Sequence, residues 1–401
     1  MNILISGASV AGPALAYWLR RHGFTPTIVE RAETLRDGGY AVDFRGEAHL
    51  SVLKQMGILD EVERAATGMG PMAYVNRDGK VQARVPADLF SGDVEILRGD
   101  LARILYEATE HDTEYVFGDS ITSITEDPGG VEVTFEHAAP RRFDLVVGAD
   151  GLHSNVRRLV FGPEERFVRH LGLYLAVFTM PNHLGLDHAA LGYRTADKLV
   201  TVYSARHNTE AKSVFYFGSP PLDVDRHDTG AQRRILTERF AGSGWETDRL
   251  LDWMRDAPDF YFDSVGQVRM DAWTRGRVAL LGDAAWSPSA LTGMGTGLAI
   301  VGAYVLAGEL AAARGDHQAA FAAYDTILRE YVARCQKIGD GVAKMLVPGN
   351  RVAVALLNRY YALIPYLPGK KLMAKMARRT AESVNLHNYP RGISDSGVFP
   401  A

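Results

Sequence analysis

The first twelve residues, MNILISGASVAG (residues 1–12), decide the fold of this chain. Residues 2–6 form a short apolar run that stops at Gly7, which predicts a buried strand ending in a tight turn. The next residues carry apolar side chains at helical spacing as far as Gly23, and residues 25–29 predict a second strand. Strand, glycine turn, helix and strand make a βαβ unit, which requires a parallel sheet and a right-handed crossover.

The turn itself predicts a dinucleotide site. Gly7 permits the sharp turn, the small Ser9 lets the backbone approach a pyrophosphate, and Gly12 allows the helix to pack closely on the strand. The helix N-terminus offers N–H groups and a positive dipole to phosphates. Glu30 stands eighteen residues after Gly12, where a carboxylate can accept hydrogen bonds from a ribose. The predicted contacts are Gly7, Ser9, Val10, Ala11, Gly12, Glu30 and Arg31, and the turn alone leaves NAD and FAD as alternatives.

Composition excludes several classes of function. The chain has 401 residues, a net charge of −4 and no basic surplus, which argues against a nucleic-acid partner. Its single cysteine, Cys335, excludes an internal disulfide, and the histidines lack metal-ligand spacing, so no metal site is predicted. Glycines and Glu309 interrupt the longest apolar stretch, residues 298–310, so no transmembrane segment is expected. We expect a cytoplasmic protein and favour a monomer, although the sequence leaves the oligomeric state unknown.

The order of patterns along the chain predicts interleaved domains. A buried strand is predicted at 144–148, β-rich segments and two helices at 166–262, another buried strand at 277–282 and a long apolar helix at 293–312. We therefore predict a discontinuous dinucleotide-binding domain, an inserted substrate-binding domain and C-terminal helices. The predicted boundaries are 1–70, 97–165 and 263–318 for the first domain, 71–96 and 166–262 for the second, 319–381 for the helices and 382–401 for a flexible tail.

Three further stretches carry a family resemblance. Residues 144–157 (DLVVGADGLHSNVR), residues 277–285 (RVALLGDAA) and residues 96–101 (ILRGDL) resemble conserved elements of the flavoprotein hydroxylases related to para-hydroxybenzoate hydroxylase. Together with the first turn, they occur in that family's order. Within the family, Gly38-Gly39 and residues 288–310 look most like the tetracycline-inactivating monooxygenases.

The resemblance implies an α/β fold, with a Rossmann-like FAD-binding domain of the glutathione-reductase type and an inserted β-sheet-rich substrate domain. It implies that NADPH or NADH reduces FAD, and that O2 adds to give a flavin C4a-hydroperoxide, which hydroxylates an aromatic or polyketide-like substrate. A tetracycline-like compound is among the candidates. The nicotinamide donor would be a transient co-substrate, because the sequence shows no second glycine turn of this kind.

The resemblance also assigns cofactor contacts. Arg98 is placed against the flavin and its phosphates, Asp150-Gly151 at the junction of FAD and the nicotinamide donor, and Asp283 on the ribityl hydroxyls. The same resemblance and helix-dipole reasoning place the start of the long helix near the reduced flavin. The remaining predicted contacts are Gly282, Pro288, Gly293, Gly295 and Thr296. The family usually has a histidine or similar residue where Trp286 stands and an asparagine where Gly297 stands. No catalytic residue is assigned.

Weaker patterns leave alternatives open. A flavoprotein that only sequesters a ligand fits the same motifs. Tyr366 and Lys370 have the spacing of a short-chain NAD-dependent dehydrogenase, but Pro368 would break the helix that must present them. The halogenase signature W-x-W-x-I-P is absent. Tyr193, Arg206 and Tyr216 could line a substrate pocket, although sheet packing is the more common role for such residues. Basic and aromatic residues at 360–379 could touch an anionic membrane, but a packed C-terminal helix is favoured.

Overall fold

A computed structural model describes residues 1–36, 38–87, 91–364 and 378–390, apart from the side chain of Lys344. The strands are β1 (Asn2–Ser6), β2 (Thr25–Glu30), β3 (Ala41–Phe44), β4 (Met72–Val75), β5 (Val81–Val85), β6 (Val94–Leu97), β7 (Glu114–Phe117), β8 (Ile121–Asp127), β9 (Gly130–Phe135), β10 (Arg141–Phe143), β11 (Leu145–Gly148), β12 (Val168–Pro181), β13 (Ala190–Thr195), β14 (Lys198–Ala205), β15 (Glu210–Gly218), β16 (Tyr261–Val268), β17 (Thr274–Arg275) and β18 (Val278–Leu280). The helices are α1 (Ala11–Arg21), α2 (Gly46–Met56), α3 (Leu59–Arg64), α4 (Arg98–Glu107), α5 (Asn155–Val160), α6 (Thr229–Phe240), α7 (Thr247–Asp256), α8 (Asp283–Trp286), α9 (Gly295–Ala312), α10 (His317–Leu346) and α11 (Arg351–Leu363).

The N-terminal strands form a six-stranded sheet in the order β17-β18-β11-β1-β2-β7. All neighbours from β18 to β7 pair in parallel, and only the edge strand β17 is antiparallel. The central strands are apolar without alternation because helices and small sheets cover both faces, as expected for a parallel sheet. This confirms the predicted βαβ unit and the α/β fold class.

A seven-stranded sheet carries the second lobe, in the order β16-β12-β15-β14-β13-β4-β5. In β12, Tyr174, Ala176 and Phe178 point to one face and Leu175 and Val177 to the other, because successive side chains alternate across a strand. The first face packs under α6 and α7, and the second faces the rest of the molecule. Since β16 pairs along β12, the predicted domain boundary between residues 262 and 263 falls inside a strand of this sheet.

Two smaller sheets complete the architecture. β3 and β6 form an antiparallel pair, in which residues 94–96 pair with residues 42–44. The predicted domain boundaries put residues 94–96 in the substrate-binding domain and residues 42–44 in the dinucleotide-binding domain. β8, β9 and β10 form a three-stranded meander around the turn at residues 127–130. The sequence patterns did not predict the short pair of β3 and β6.

The helix α9 forms the centre of the main core. It is apolar on every side, which is the pattern of a fully buried helix, and it packs between α1, α2 and α10. Its 18 residues have a mean hydropathy of 1.5, enough in length and composition for a membrane span, but 72% of them are buried within the protein. The helix α10 presents Phe321, Tyr324, Leu328 and Tyr331 to this core at helical spacing.

The C-terminal region differs in part from the sequence prediction. The helix α11 packs against β5 and β13, as expected for a packed C-terminal helix. Within the predicted flexible tail, His387 and Tyr389 contact α9: the Tyr389 hydroxyl donates to Glu309 Oε1 at 2.6 Å, and the Tyr304 hydroxyl donates to the His387 carbonyl at 2.8 Å. Tyr366 and Lys370, the pair considered for a dehydrogenase, lie outside the described residues.

Candidate functional site: a cavity between the two large sheets

A cavity of about 550 Å³ lies between the carboxyl edge of the six-stranded sheet and the inner face of the seven-stranded sheet. Ligands of open α/β sheets bind at this edge of the sheet. Most of the predicted cofactor contacts line it: Gly7, Ser9, Val10, Ala11, Glu30, Arg31, Arg98, Asp150, Gly151, Asp283, Gly293, Gly295 and Thr296. Gly12, Gly282 and Pro288 do not line the cavity.

The glycine turn brings the backbone to the floor of this cavity. Gly7 has φ +112°, and a Cβ on it would lie 2.5 Å from the Ala149 carbonyl oxygen. A Cβ on Gly12 would lie 1.9 Å from the Gly7 carbonyl oxygen, so both positions exclude a side chain. No side chain caps the N-terminus of α1, and therefore the N–H groups of its first turn remain available to a phosphate. This cradle fits the pyrophosphate of a dinucleotide.

Glu30 ends β2 beside the turn, as its spacing predicted. Its Oε2 accepts a hydrogen bond from the Ala8 N–H at 2.9 Å, and its Oε1 accepts one from the Ala32 N–H at 2.9 Å. Arg36 Nη2 lies 3.7 Å from Oε1. A carboxylate has about four acceptor positions, so the fixed Glu30 can still accept the hydroxyls of a ribose.

Asp150 and Gly151 lie on the loop after β11. The Asp150 carboxylate accepts hydrogen bonds from the Ser154 hydroxyl and from the Val156 N–H, the latter at 3.0 Å, so it fixes the start of α5. Burial raises the pKa of this carboxyl, against the effect of these hydrogen bonds. Gly151 has φ +81° and nothing within 4 Å of an added Cβ, so its backbone is open toward the cavity.

Asp283 lies beside the start of α9 in the cavity wall, because a Cβ on Gly295 would lie 3.5 Å from Asp283 Oδ1. Gly282 has φ +65°, and a Cβ there would meet Ala11 at 3.2 Å and Ala299 at 3.4 Å, so this glycine lets α1, α8 and α9 converge. Burial raises the pKa of Asp283, while a hydrogen bond from Ser287 and the charges of Arg98 and Arg157 act in the opposite direction.

No side chain caps the N-terminus of α9, so its first-turn N–H groups can stabilise negative charge on a bound group.

Arg157 is a site residue to which sequence reasoning gave no role, although it closes the quoted stretch 144–157. Its side chain is 0% exposed. Its guanidinium donates to the Ala284 carbonyl at 2.9 Å and to the Leu152 carbonyl at 2.6 Å, and it lies 3.4 Å from Glu164 Oε2. Arg157 therefore joins the loop of Asp150 to the turn of Asp283. The only available sequence signal was an arginine inside a recognised motif.

Gly297 and Trp286, the two positions at which this chain differs from the usual residues of the family, have separate structural settings. A Cβ on Gly297 would lie 2.1 Å from His49 Cε1, so the imidazole of His49 occupies the space of a side chain at position 297. His49 Nδ1 accepts from the Arg45 N–H at 3.0 Å, which leaves Nε2 protonated to donate to the Tyr331 hydroxyl at 2.6 Å. Burial and the Arg45 charge lower the pKa of His49 to about 4. Trp286 is buried and packs edge-on against Trp273 at 4.7 Å between ring centroids.

The roof of the cavity comes from the seven-stranded sheet and includes Leu175, Tyr261 and Val265, with Tyr40 beside them. Burial raises the pKa of Tyr40 to about 12, so its hydroxyl stays protonated at neutral pH. The Tyr261 hydroxyl donates to Asp263 Oδ2 at 2.7 Å. The roof therefore combines apolar surface with a few fixed polar groups, the usual composition of a small-molecule site.

At the rim, His153 lies between two carboxylates, 2.9 Å from Glu164 and 3.1 Å from Asp263. Burial acts to lower the pKa of His153, but the hydrogen bonds and charges of the two carboxylates outweigh it and raise this pKa to about 9.

The weaker substrate-pocket candidates Tyr193, Arg206 and Tyr216 do not line the cavity. Tyr193 donates to the Ser243 carbonyl at 2.7 Å, and Arg206 lies 3.9 Å from Asp100.

Comparison with known proteins identifies the family of this chain. Residues 1–345 match a family described as an FAD binding domain. An uncharacterised protein of Mycobacterium tuberculosis is 50% identical over 341 residues, covering 84% of this chain and 91% of that protein. A flavin-dependent monooxygenase of Legionella longbeachae is 42% identical over 357 residues, covering 88% of this chain and 91% of that protein.

Among solved structures, tetracycline destructase Tet(55) superposes with a TM-score of 0.84 at 39% identity, covering 96% of this chain and 98% of that one. The chain therefore belongs to the FAD-binding-domain family that includes the para-hydroxybenzoate hydroxylase relatives, and it is an FAD-dependent monooxygenase.

Proposed function

We propose that this monooxygenase consumes NADPH or NADH and hydroxylates an aromatic or polyketide-like small molecule. One observation carries the proposal: a single cavity joins the dinucleotide cradle at Gly7 to the apolar and tyrosine-bearing roof at Tyr261. FAD supplies the activation of O2 when it is bound and reduced. The chain's own residues must hold the cofactor, exclude water and orient the substrate.

The positions of charges support binding of a reduced, anionic flavin. The N-terminus of α9 offers uncapped N–H groups at the cavity wall, and Arg98 also lines the cavity. Both would stabilise negative charge that develops there. Asp283 would accept hydrogen bonds from the ribityl hydroxyls, as the family resemblance implies.

The roof supports a flat, largely apolar substrate. Leu175 and Val265 supply apolar surface, and the hydroxyls of Tyr40 and Tyr261 supply fixed polar groups. The fold shared with Tet(55) brings tetracycline-like molecules into the range of substrates. The nicotinamide donor would approach from outside, beside Asp150 and Gly151, because the sequence shows no second dinucleotide turn.

The balanced reaction defines the test. Substrate, O2, NAD(P)H and a proton give hydroxylated substrate, water and NAD(P)⁺, so each oxidised nicotinamide should match one product molecule heavier by one oxygen atom. We would screen phenols, polyketides and tetracyclines for stimulated NADPH and NADH oxidation, and then measure product mass under ¹⁸O2. A product carrying ¹⁸O supports the proposal, whereas nicotinamide oxidation that yields only hydrogen peroxide with every compound contradicts it.

A ligand-sequestering flavoprotein is separated by one further measurement. The purified, FAD-loaded protein is mixed with NADPH or NADH without oxygen, with and without the best ligand of the screen. Bleaching of the flavin absorbance supports the monooxygenase. An unbleached flavin under both conditions, together with ligand binding, would favour sequestration instead.

A further inference from the structure

The helix α11 has two apolar faces, and only one of them is packed. On the inner face Val354 is buried, and the Tyr361 ring stacks on Tyr74 with 5.2 Å between centroids. The outer face carries the stripe of Val352, Leu356, Tyr360 and Leu363, whose residues are 69%, 65%, 40% and 52% exposed. Their spacing of four, four and three residues places them in one line along the helix. Single exposed apolar residues are ordinary, but an aligned stripe is the signature of an interaction surface.

Basic residues lie along one side of this stripe. Arg351 and Arg359 of α11 line a surface depression together with Arg77 of the β4–β5 hairpin. Within the described parts of the chain, none of these three guanidinium groups has a carboxylate within 4.0 Å. Asp78 and Lys80 in the same hairpin offset each other in charge.

The fourth arginine of the depression, Arg194, has a different role. Its guanidinium donates to the side-chain oxygen of Asn358 at 3.3 Å and lies 5.2 Å from the Tyr361 ring centroid, so it anchors α11 to the sheet. The depression therefore has a rigid base and three outer arginines that are open to an anionic partner.

The sequence around α11 is basic, although the chain as a whole is not. Between Asp340 and Glu382 the sequence contains eight lysines and arginines and no acidic residue, in a chain whose net charge is −4. An apolar helical stripe bordered by arginines matches the boundary of an anionic bilayer, where apolar side chains enter the acyl region and cations meet phosphates.

We propose that the outer face of α11 docks this protein on an anionic lipid bilayer. Val352, Leu356, Tyr360 and Leu363 insert at the boundary of headgroups and acyl chains, and Arg77, Arg351 and Arg359 contact lipid phosphates. A second copy that packed its own α11 antiparallel on this stripe would bring the arginines of both copies to the same side, where like charges repel. The stripe itself lies on the convex outer side of a helix, to which a fluid bilayer can adapt.

The test is sedimentation of the FAD-loaded protein with vesicles. Vesicles of phosphatidylcholine alone are compared with vesicles of phosphatidylcholine and phosphatidylglycerol in equal parts, at low and high salt. We expect binding to the anionic vesicles that falls as salt rises, because screening weakens the arginine contacts. The double variant Val352→Gln/Leu356→Gln should lose most of this binding. The double variant Arg351→Gln/Arg359→Gln should weaken it by roughly 25-fold, at about fivefold for each charge.

Matched controls separate docking from general effects. Trp253→Gln removes an apolar residue that is 41% exposed on α7, on the opposite side of the seven-stranded sheet, and Arg103→Gln removes an exposed arginine of α4. Both controls should bind like the unchanged protein, and every variant should retain FAD and its thermal midpoint.

Two outcomes would overturn the proposal. One is the absence of binding to anionic vesicles, or equal losses in the control and α11 variants. The other is a concentration-dependent dimer in solution that Val352→Gln/Leu356→Gln converts to a monomer, which would assign the stripe to a second copy. Because docking needs no turnover, its failure leaves the proposed hydroxylation untouched, and the reverse also holds.

Discussion

Replacement of Gly297 by alanine tests how α9 is held against α2. The new Cβ would lie 2.1 Å from His49 Cε1 and 2.2 Å from Nδ1, well inside van der Waals contact. His49 cannot move freely, because it is buried and hydrogen-bonded to the Arg45 N–H and the Tyr331 hydroxyl. We therefore expect Gly297→Ala to destabilise the protein, although alanine favours helices more than glycine does.

The magnitude follows from what the clash must displace. Overpacking of a tight core costs about 1–3 kcal/mol, and loss of a hydrogen bond of His49 adds about 1 kcal/mol. The total of about 2–4 kcal/mol should lower the thermal midpoint by roughly 2–5 °C for a chain of this size. The assay is the unfolding midpoint of the FAD-loaded protein, followed by flavin fluorescence and by circular dichroism.

A control and a second variant make this prediction specific. Gly341→Ala changes another helical glycine, on α10, but its Cβ would meet nothing within 4 Å, so it should be neutral or stabilise the protein by up to about 1 kcal/mol. In a His49→Ala background the ring is gone, and Gly297→Ala should then cost less than about 1 kcal/mol. The reasoning is refuted if Gly297→Ala unfolds at the same temperature as Gly341→Ala, or if removal of the His49 ring gives no relief.

Three further predictions concern the cavity and its rim. Glu30→Gln should weaken FAD binding about tenfold, because it removes a charged acceptor worth about 1.5 kcal/mol. Titration of the apoprotein with FAD, followed by flavin fluorescence, measures this change. As a control, Glu33→Gln, three residues further along the chain and outside the cavity lining, should bind FAD normally. Arg157→Met should cost about 2–4 kcal/mol, since two buried carbonyls lose their donor, and an unchanged urea midpoint would contradict the assigned role. For His153, the pKa is raised from 6.5 to about 9, so its carboxylate pairs stabilise the fold fully below pH 6.5 and lose this effect as pH rises through about 9. The stability difference between the unchanged protein and His153→Gln should therefore be larger at about pH 6 than at about pH 10, and a constant difference would exclude the pairing.

The sequence by itself determined those features of this protein that are set by residues close together in the chain. The run before Gly7 and the helical spacing after it specified a strand, a turn and a helix, because apolar period and glycine freedom act over a few residues. Glu30 was placed correctly beside the turn since a βαβ unit returns the chain to the adjacent strand. The family resemblance assigned the motif around Asp283 to the cofactor, and in the structure Asp283 lines the same cavity as the glycine turn.

Only the tertiary structure decided the contacts between distant segments. His49 and Tyr331 are 282 residues apart, and no local pattern announces that the imidazole fills the space beside Gly297. Arg157 and Ala284, which share a hydrogen bond, are 127 residues apart. The pairing of β16 with β12, which places the predicted domain boundary between residues 262 and 263 inside a strand, is equally non-local. The physical reason is that periodicity shows which face of an element is buried, whereas the partner of that face is selected by packing, charge and hydrogen bonding across the whole core.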